Sequence, residues 1–361
     1  MNRTELRVLL DGWQLIYDPL SPSAFHLLEL LETLCADAEL ILALPSERPD
    51  WLPSKMAAIE LFRPFSAFHH LRWMQFDLPR LAAQVQAKII HSVQASAPLF
   101  ASQALIYSPT EGIARRENKR RSVWERVDEA LSLGGLSRAT WIDRDRIFVE
   151  QNMSEGEVVP IDTRMEETSS GRRGESHSLP SAPYFLYQSL GDWERLRFLL
   201  QVWSKTAASL GDQAVLAIVC RSEAEQKSIE KNSTPEFLQT LRLYAGIDPP
   251  QLMRLLADAL AVIQLQDEPV WGGVTQRAMR CGVPVVGFEL PSLDKIVGDA
   301  GYLVPEGDSR LLSAALLTIA VEEDVLRNLQ SKARIRGRRW DREMFRKGML
   351  QVYHRVVERK I

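Results

Sequence analysis

The chain has 361 residues. Single cores usually stop growing near ~250–300 residues, so two domains are expected. With 45% hydrophobic and 25% charged residues and a net charge of −3, it has the composition of a soluble globular protein and none of the basic excess of a nucleic-acid binder. Its 3 cysteines, Cys35, Cys220 and Cys281, stand in separate apolar contexts, which supports neither a disulfide frame nor a zinc site and fits a reducing compartment.

The chain opens on MNRTELRVLLDG. Its apolar run reads as a buried strand, too short for an export signal and broken by Asp11. SAFHLLELLETL follows at helical spacing, and AELILALP is a second strand. FHHLRWMQFDLPRLAAQVQA is a helical stretch bent or divided at Pro79. KIIHSVQ and ALIYSP are further strands, VWERVDEALSL is helical, and VVPI near Pro160 is the last short strand of this half. Continuous apolar strands alternating with amphipathic helices predict a parallel sheet covered on both faces.

Residues 162–183 are polar, rich in Ser, Gly and charge, and without apolar period, as in a hinge. The alternation then resumes. YFLYQSL is a strand, DWERLRFLLQVWSKTAASL a helix capped by Asp192, and AVLAIVC and RLYAGI are strands. DPPQLMRLLADA is a helix with Asp248 at its N-cap and Pro249 in its first turn. LAVIQLQ, PVVGFE and GYLVPEGD supply further strands. LLSAALLTIAV is far below the ~20 residues of a membrane span and reads as a core helix. KARIRGRR reads as a surface turn ahead of a final long helix. The expected domains are 1–163, a hinge at 164–182, 183–341, and a helix at 342–361 packing back on the first domain.

Between two of these strands lies EPVWGGVTQRAMRCG, beginning at Glu268. Gly272 and Gly273 let backbone approach a ligand closely, and the helix N-terminus behind them favours negative charge. In doubly wound sheets ligands bind at the carboxyl ends of strands, here the cleft between domains.

This segment resembles retaining glycosyltransferases of family four, which have the GT-B fold. Their motif runs acid, Pro or Gly, aromatic, Gly, four residues, then Glu-Ala-Met-Ala-x-Gly-x-Pro-Val-Val. Here stand Glu268, Pro269, Trp271, Gly272, then Ala278, Met279, Gly282, Pro284, Val285 and Val286, followed by GDAGYLVPEGD from Gly298 to Asp308. The resemblance covers the second half well and the first by pattern alone. It implies an α/β, GT-B-like fold of two Rossmann-type doubly wound domains facing a cleft. It also implies transfer of a sugar, with retention, from a nucleotide-diphosphate sugar to a glycan or lipid-linked acceptor, as in polysaccharide biosynthesis. No cofactor or metal is implied, because Arg, Lys and helix N-termini meet the charge of the leaving diphosphate.

Carried over by position, Glu268 is the first motif acid. The second is replaced by Gln276 in one register and by Arg277 in the other. An amide can still bond a ribose diol, whereas a guanidinium cannot accept from it. Glu268 and His91, the latter on the acceptor side, are the catalytic candidates, Arg195 and Arg221 the candidate diphosphate cations, and Gly272 and Gly273 the close-approach glycines. On the residues alone Glu268 also reads as a solvated loop acid, and His91 reads more readily as a satisfied core histidine. The run ARRENKRR offers Arg115, Arg116, Lys119, Arg120 and Arg121 either as a solvated loop or as a contact with an anionic membrane. The expected setting is cytoplasmic, extending to the periphery of the inner membrane face. A second class of reading is a GT-B-shaped module without transfer activity, serving as a partner or regulatory subunit.

Overall fold

The computed structural model describes residues 6–94, 96–108, 123–142, 178–267 and 273–358. Glu268, Gly272, the 114–121 run, the VVPI segment and most of the hinge fall outside these residues.

Twelve described strands form two six-stranded sheets, all of whose pairs are parallel. The first contains β1 (Arg7–Asp11), β2 (Glu39–Leu44), β3 (Ala57–Glu60), β4 (Ile89–Ser92), β5 (Ala104–Tyr107) and β6 (Thr140–Trp141), in the order β3-β2-β1-β4-β5-β6. The second contains β7 (Tyr184–Gln188), β8 (Val215–Val219), β9 (Leu241–Tyr244), β10 (Ala261–Gln264), β11 (Val285–Phe288) and β12 (Gly301–Val304), in the order β12-β11-β10-β7-β8-β9. Renumbered within its own domain, the second sheet has the same winding as the first. Each reverses strand order once, between β1 and β4 and between β7 and β10, which opens a crevice at those carboxyl ends.

The central strands are apolar because helices cover both faces: β4, β5, β7, β8, β10 and β11 are buried throughout. Asp192 accepts from the amides of Glu194 and Arg195 at the start of helix Trp193–Leu210. Asp248 and Gln251 form a reciprocal capping box on helix Pro249–Ala257. The stretch around Pro79 divides, with helix Ala67–Arg72, a π-helical turn Trp73–Asp77, and helix Leu78–Gln84 with the proline in its first turn.

KARIRGRR is corrected. Most of it lies inside helix Glu323–Gly337, which packs on helix Val274–Cys281 with Ala333 and Gly337 buried. The final helix, Arg342–Glu358, crosses to the first domain, where Phe345, Met349, Tyr353 and Val356 join the core around Leu27, Leu30 and Leu31.

Candidate functional site

β7 and β10 are apolar strands that both end on glutamine, Gln188 and Gln264. Their carboxyl ends flank the reversal of the second sheet and carry a small, shallow cleft. Leu190, Gly273, Val274 and Arg277 continue its wall, and Pro22 of the first domain closes it.

Gly273 is the extended N-cap of helix Val274–Cys281 and supplies no side chain to the cap, so the first-turn amides depend on other partners. Gly282, at φ 75°, ends the helix in the left-handed conformation that glycine adopts without strain. Arg277, one turn in, is only 9% exposed. Its guanidinium carbon lies 3.7 Å from the ring centre of Phe25, and Nη2 donates to Oε1 of Gln188 at 3.4 Å. Nε2 of Gln188 in turn donates to the carbonyl of Leu20 at 2.8 Å. Farther along the helix, Arg280 pairs with Glu29 at 2.9 Å. The helix behind the cleft is therefore clasped by helix Pro22–Leu34 of the first domain.

The side chains of the two candidate positions go to different places. Arg277 lines the cleft; Gln276 is buried and does not. Arg221 lies beside it, donating to the carbonyl of Leu190 at 3.4 Å. Position 191 has φ +86°, a conformation that favours glycine, and the Arg221 guanidinium lies against it. Across the domain boundary burial raises the Asp18 carboxyl, and the Arg221 charge opposes that shift. Arg195 is turned to the β11–β12 side, over the Phe288 ring and paired with Glu306.

His91 is corrected as a catalytic candidate. It is fully buried, its Nδ1 is 2.7 Å from the Tyr353 hydroxyl and its Nε2 is 2.7 Å from that of Ser108. Both ring nitrogens are taken, and the ring fastens the final helix to β4 and β5. Burial lowers its pKa to about 3, against ~6.5 unfolded. As pH falls below about 6.5 the unfolded chain gains a proton that the native chain refuses, so this group's contribution is lost progressively down to about 3. His91→Gln is expected to cost about 1–3 kcal/mol at neutral pH. It should also flatten the decline of stability with acid, measured by urea unfolding across that window. An unchanged acid slope would remove His91 as its source.

Several residues of this site were not singled out from the sequence. Gln188 and Gln264 had a readable signal, a polar residue closing an otherwise apolar central strand. Pro22, Phe25 and Glu29 had none, because their role depends on how the two domains meet.

Residues 184–321 match the family described as glycosyl transferases group 1. N-acetyl-alpha-D-glucosaminyl L-malate synthase of Bacillus anthracis is 27% identical over 134 residues, which are 34% of this chain and 35% of that protein. Phosphatidyl-myo-inositol mannosyltransferase of Mycobacterium leprae is 30% identical over 149 residues, 40% of this chain and 39% of that protein. The match thus spans well under half the length of either relative. Among solved structures, WaaG, a glycosyltransferase involved in lipopolysaccharide biosynthesis, aligns over 96% of this chain and 99% of its own at a TM-score of 0.65 and 13% identity. HepE of Anabaena in complex with UDP and glucose aligns over 96% and 99% at 0.59 and 15%. At these identities the likeness is one of fold.

Proposed function

We propose that this chain, whose residues 184–321 match the group 1 glycosyltransferases and whose frame is GT-B-like, transfers a sugar, with retention, from a nucleotide-diphosphate sugar to a glycan or lipid-linked acceptor. The cleft at the β7–β10 reversal carries the reading, because a glycine-led helix N-terminus and the Arg277 guanidinium meet there. Both favour an anion, and a donor's diphosphate supplies one. Arg221 stands beside this wall as a further cation; Arg195 would first have to leave Glu306. In this reading these groups meet the charge of the leaving diphosphate without a cofactor or metal. Glu268, which precedes Gly273 in the sequence, is in this reading the group that accepts from donor-sugar hydroxyls, with the acceptor entering from the first domain. The two sequence relatives support the reading through their names, a glucosaminyl malate synthase and a mannosyltransferase, each matched over part of its length.

Among the described residues no helix is long and apolar enough to cross a membrane. A cytoplasmic enzyme with peripheral membrane contact through the 114–121 run is part of the same proposal.

Thermal melting with UDP-, GDP- and ADP-sugars tests it. A ligand at ~100 times its dissociation constant stabilises by ~2.7 kcal/mol. For a domain of this size that is roughly 5–10 °C. One nucleotide series is expected to give the shift, with the sugar transferred when a suitable acceptor is added. No shift with any of the three at millimolar concentration would leave a GT-B module without transfer activity.

A further inference from the structure

The first sheet has a crevice of its own where its strand order reverses, between β1 and β4. Asp11, the last residue of β1, is buried there. It accepts from the Trp13 amide at 3.2 Å, from Nε1 of Trp73 at 2.9 Å, and from Nε2 of Gln94, just beyond β4. Gln14 donates to Gln94 at 3.0 Å. From these residues helix Trp13–Tyr17 leads within a few positions to Leu20 and Pro22, which meet the cleft wall of the second sheet. One short stretch of chain joins the two crevices.

His70 stands over this network. Its ring meets Trp13 edge to face at 5.0 Å, and its Nδ1 lies 2.5 Å from Oδ2 of Asp128 on helix Val123–Arg138. That helix has little apolar attachment. Of its 16 residues only Ser132, Gly135 and Leu136 are buried, and Leu136 packs in a small cluster with Ala97 and Tyr107, apart from the main cores. Its polar contacts reach the segment after β4. Ser132 lies 2.8 Å from the Ser96 hydroxyl and 3.5 Å from Oδ1 of Asp128. A Cβ on Gly135 would run into the Ala97 carbonyl, so glycine is what lets the helix come this close. Arg138 donates to the carbonyls of Leu99 and Ala101.

The charges around His70 favour its proton. Burial opposes the charged ring, but the Asp128 carboxyl, the Asp11 carboxyl behind it and Gln94 together outweigh burial and lift the pKa above the ordinary 6.5. Glu125 and Glu129 flank Asp128 along its helix. On the near side, His69 is bonded to Ser66, while Arg63 and Arg72 both turn to Asp77. The His70–Asp128 ion pair is therefore fully present below about 6.5 and is lost as pH rises through the higher value of the docked ring.

We propose that His70 is a positioning residue for the acceptor side: its charged ring fastens helix Val123–Arg138 through Asp128, the helix fastens residues 96–99, and loss of the ring's proton loosens both. Arg138 keeps its charge throughout, so the helix swings on its last turn and does not leave. The role on the acceptor side rests on the functional reading; the attachment of the helix does not.

Hydrogen exchange of the full chain reads the attachment without donor or acceptor. From about pH 6 to about pH 9, the protection factors of residues 127–136 are expected to fall on the order of tenfold, the scale of losing a hydrogen bond to a charged group. Helix Trp193–Leu210 should stay flat. Asp128→Asn and His70→Gln should each show the weaker protection already at the acid end, with no further fall. If either variant folds poorly, the ring resonances of the 6 histidines in the wild type decide, since one should titrate above 6.5. Where transfer is seen, the acceptor's KM should rise across the same window while the donor's melting shift stays constant. A flat wild-type exchange profile, a slope that survives Asp128→Asn, or no histidine titrating above 6.5 would overturn the attachment. An exchange slope beside a flat acceptor KM would overturn the positioning role. Absence of transfer with the slope intact would fail the functional reading and still support the attachment.

Discussion

Arg277→Glu is expected to weaken nucleotide-sugar binding by a hundredfold or more. The arginine is the charged side chain lining the cleft at the β7–β10 reversal, one turn from the Gly273 end of its helix. Losing a hydrogen bond to a charged group costs about 1.5–3 kcal/mol, or roughly tenfold to a hundredfold. Reversing the sign adds repulsion from a diphosphate in a half-closed, poorly screened space. Arg277→Met separates charge from packing, since it keeps an apolar stem against Phe25 and removes only the cation. It should lose the tenfold to hundredfold and no more. Gln276→Glu, whose side chain does not line the cleft, should leave affinity within a few-fold of wild type. Calorimetry with the nucleotide sugar that gives the melting shift reads all three. A gain in affinity for Arg277→Glu would reverse the assignment. Position 277 would then contact the ribose diol, and the wild-type arginine would mark a weakened donor site.

That assignment shows where sequence reading reached and where it stopped. The two doubly wound domains were legible because each central strand is a short apolar run and each helix is amphipathic, and these patterns depend on local burial. Caps at Asp192 and Asp248 were legible for the same reason, since a cap bonds to amides two or three residues away. β3 was not, because AAIE is a four-residue edge strand with no fully buried position. Helix Glu323–Gly337 was hidden by its charge density, which obscures the buried spacing Leu329, Ala333 and Gly337. At the site, the glycines before Val274 placed the ligand end of the helix, but two registers remained open for the residue behind them. The structure adds that Arg277 lines the cleft against Phe25 while Gln276 stands outside it, a difference no local pattern carries. Contacts between domains carry no periodicity. His91 was ambiguous in the same way, since a strand-end histidine reads alike whether it faces a cleft or the hydroxyl of Tyr353, distant in the chain.

Gly337→Ala is expected to lower the melting temperature by roughly 2–12 °C and to weaken donor binding with it. Helix Glu323–Gly337 lies on helix Val274–Cys281 so closely that a Cβ at position 337 would stand 2.4 Å from the Met279 carbonyl oxygen and 2.8 Å from the Arg280 amide nitrogen. These are backbone atoms, so no rotamer change relieves the clash and the helices must separate. Overpacking of this kind costs about 1–3 kcal/mol. At 2–4 °C per kcal/mol for a domain of roughly 150–250 residues, that cost gives the stated range. The displaced helix carries both Gly273 and Arg277, so strain at its far end moves the anion-facing groups at the near end. Gly134→Ala is the matched control. There the obstacle is the Leu99 side chain at 3.1 Å, which can turn aside, and an alanine inside a helix recovers up to ~1 kcal/mol over glycine. Its melting point should be unchanged or slightly raised. If both variants melt with the wild type, the close helix contact is not what braces the cleft. If Gly337→Ala melts early but binds donor as before, the contact supports the second domain alone, and the geometry at Arg277 is set by Phe25 and Gln188.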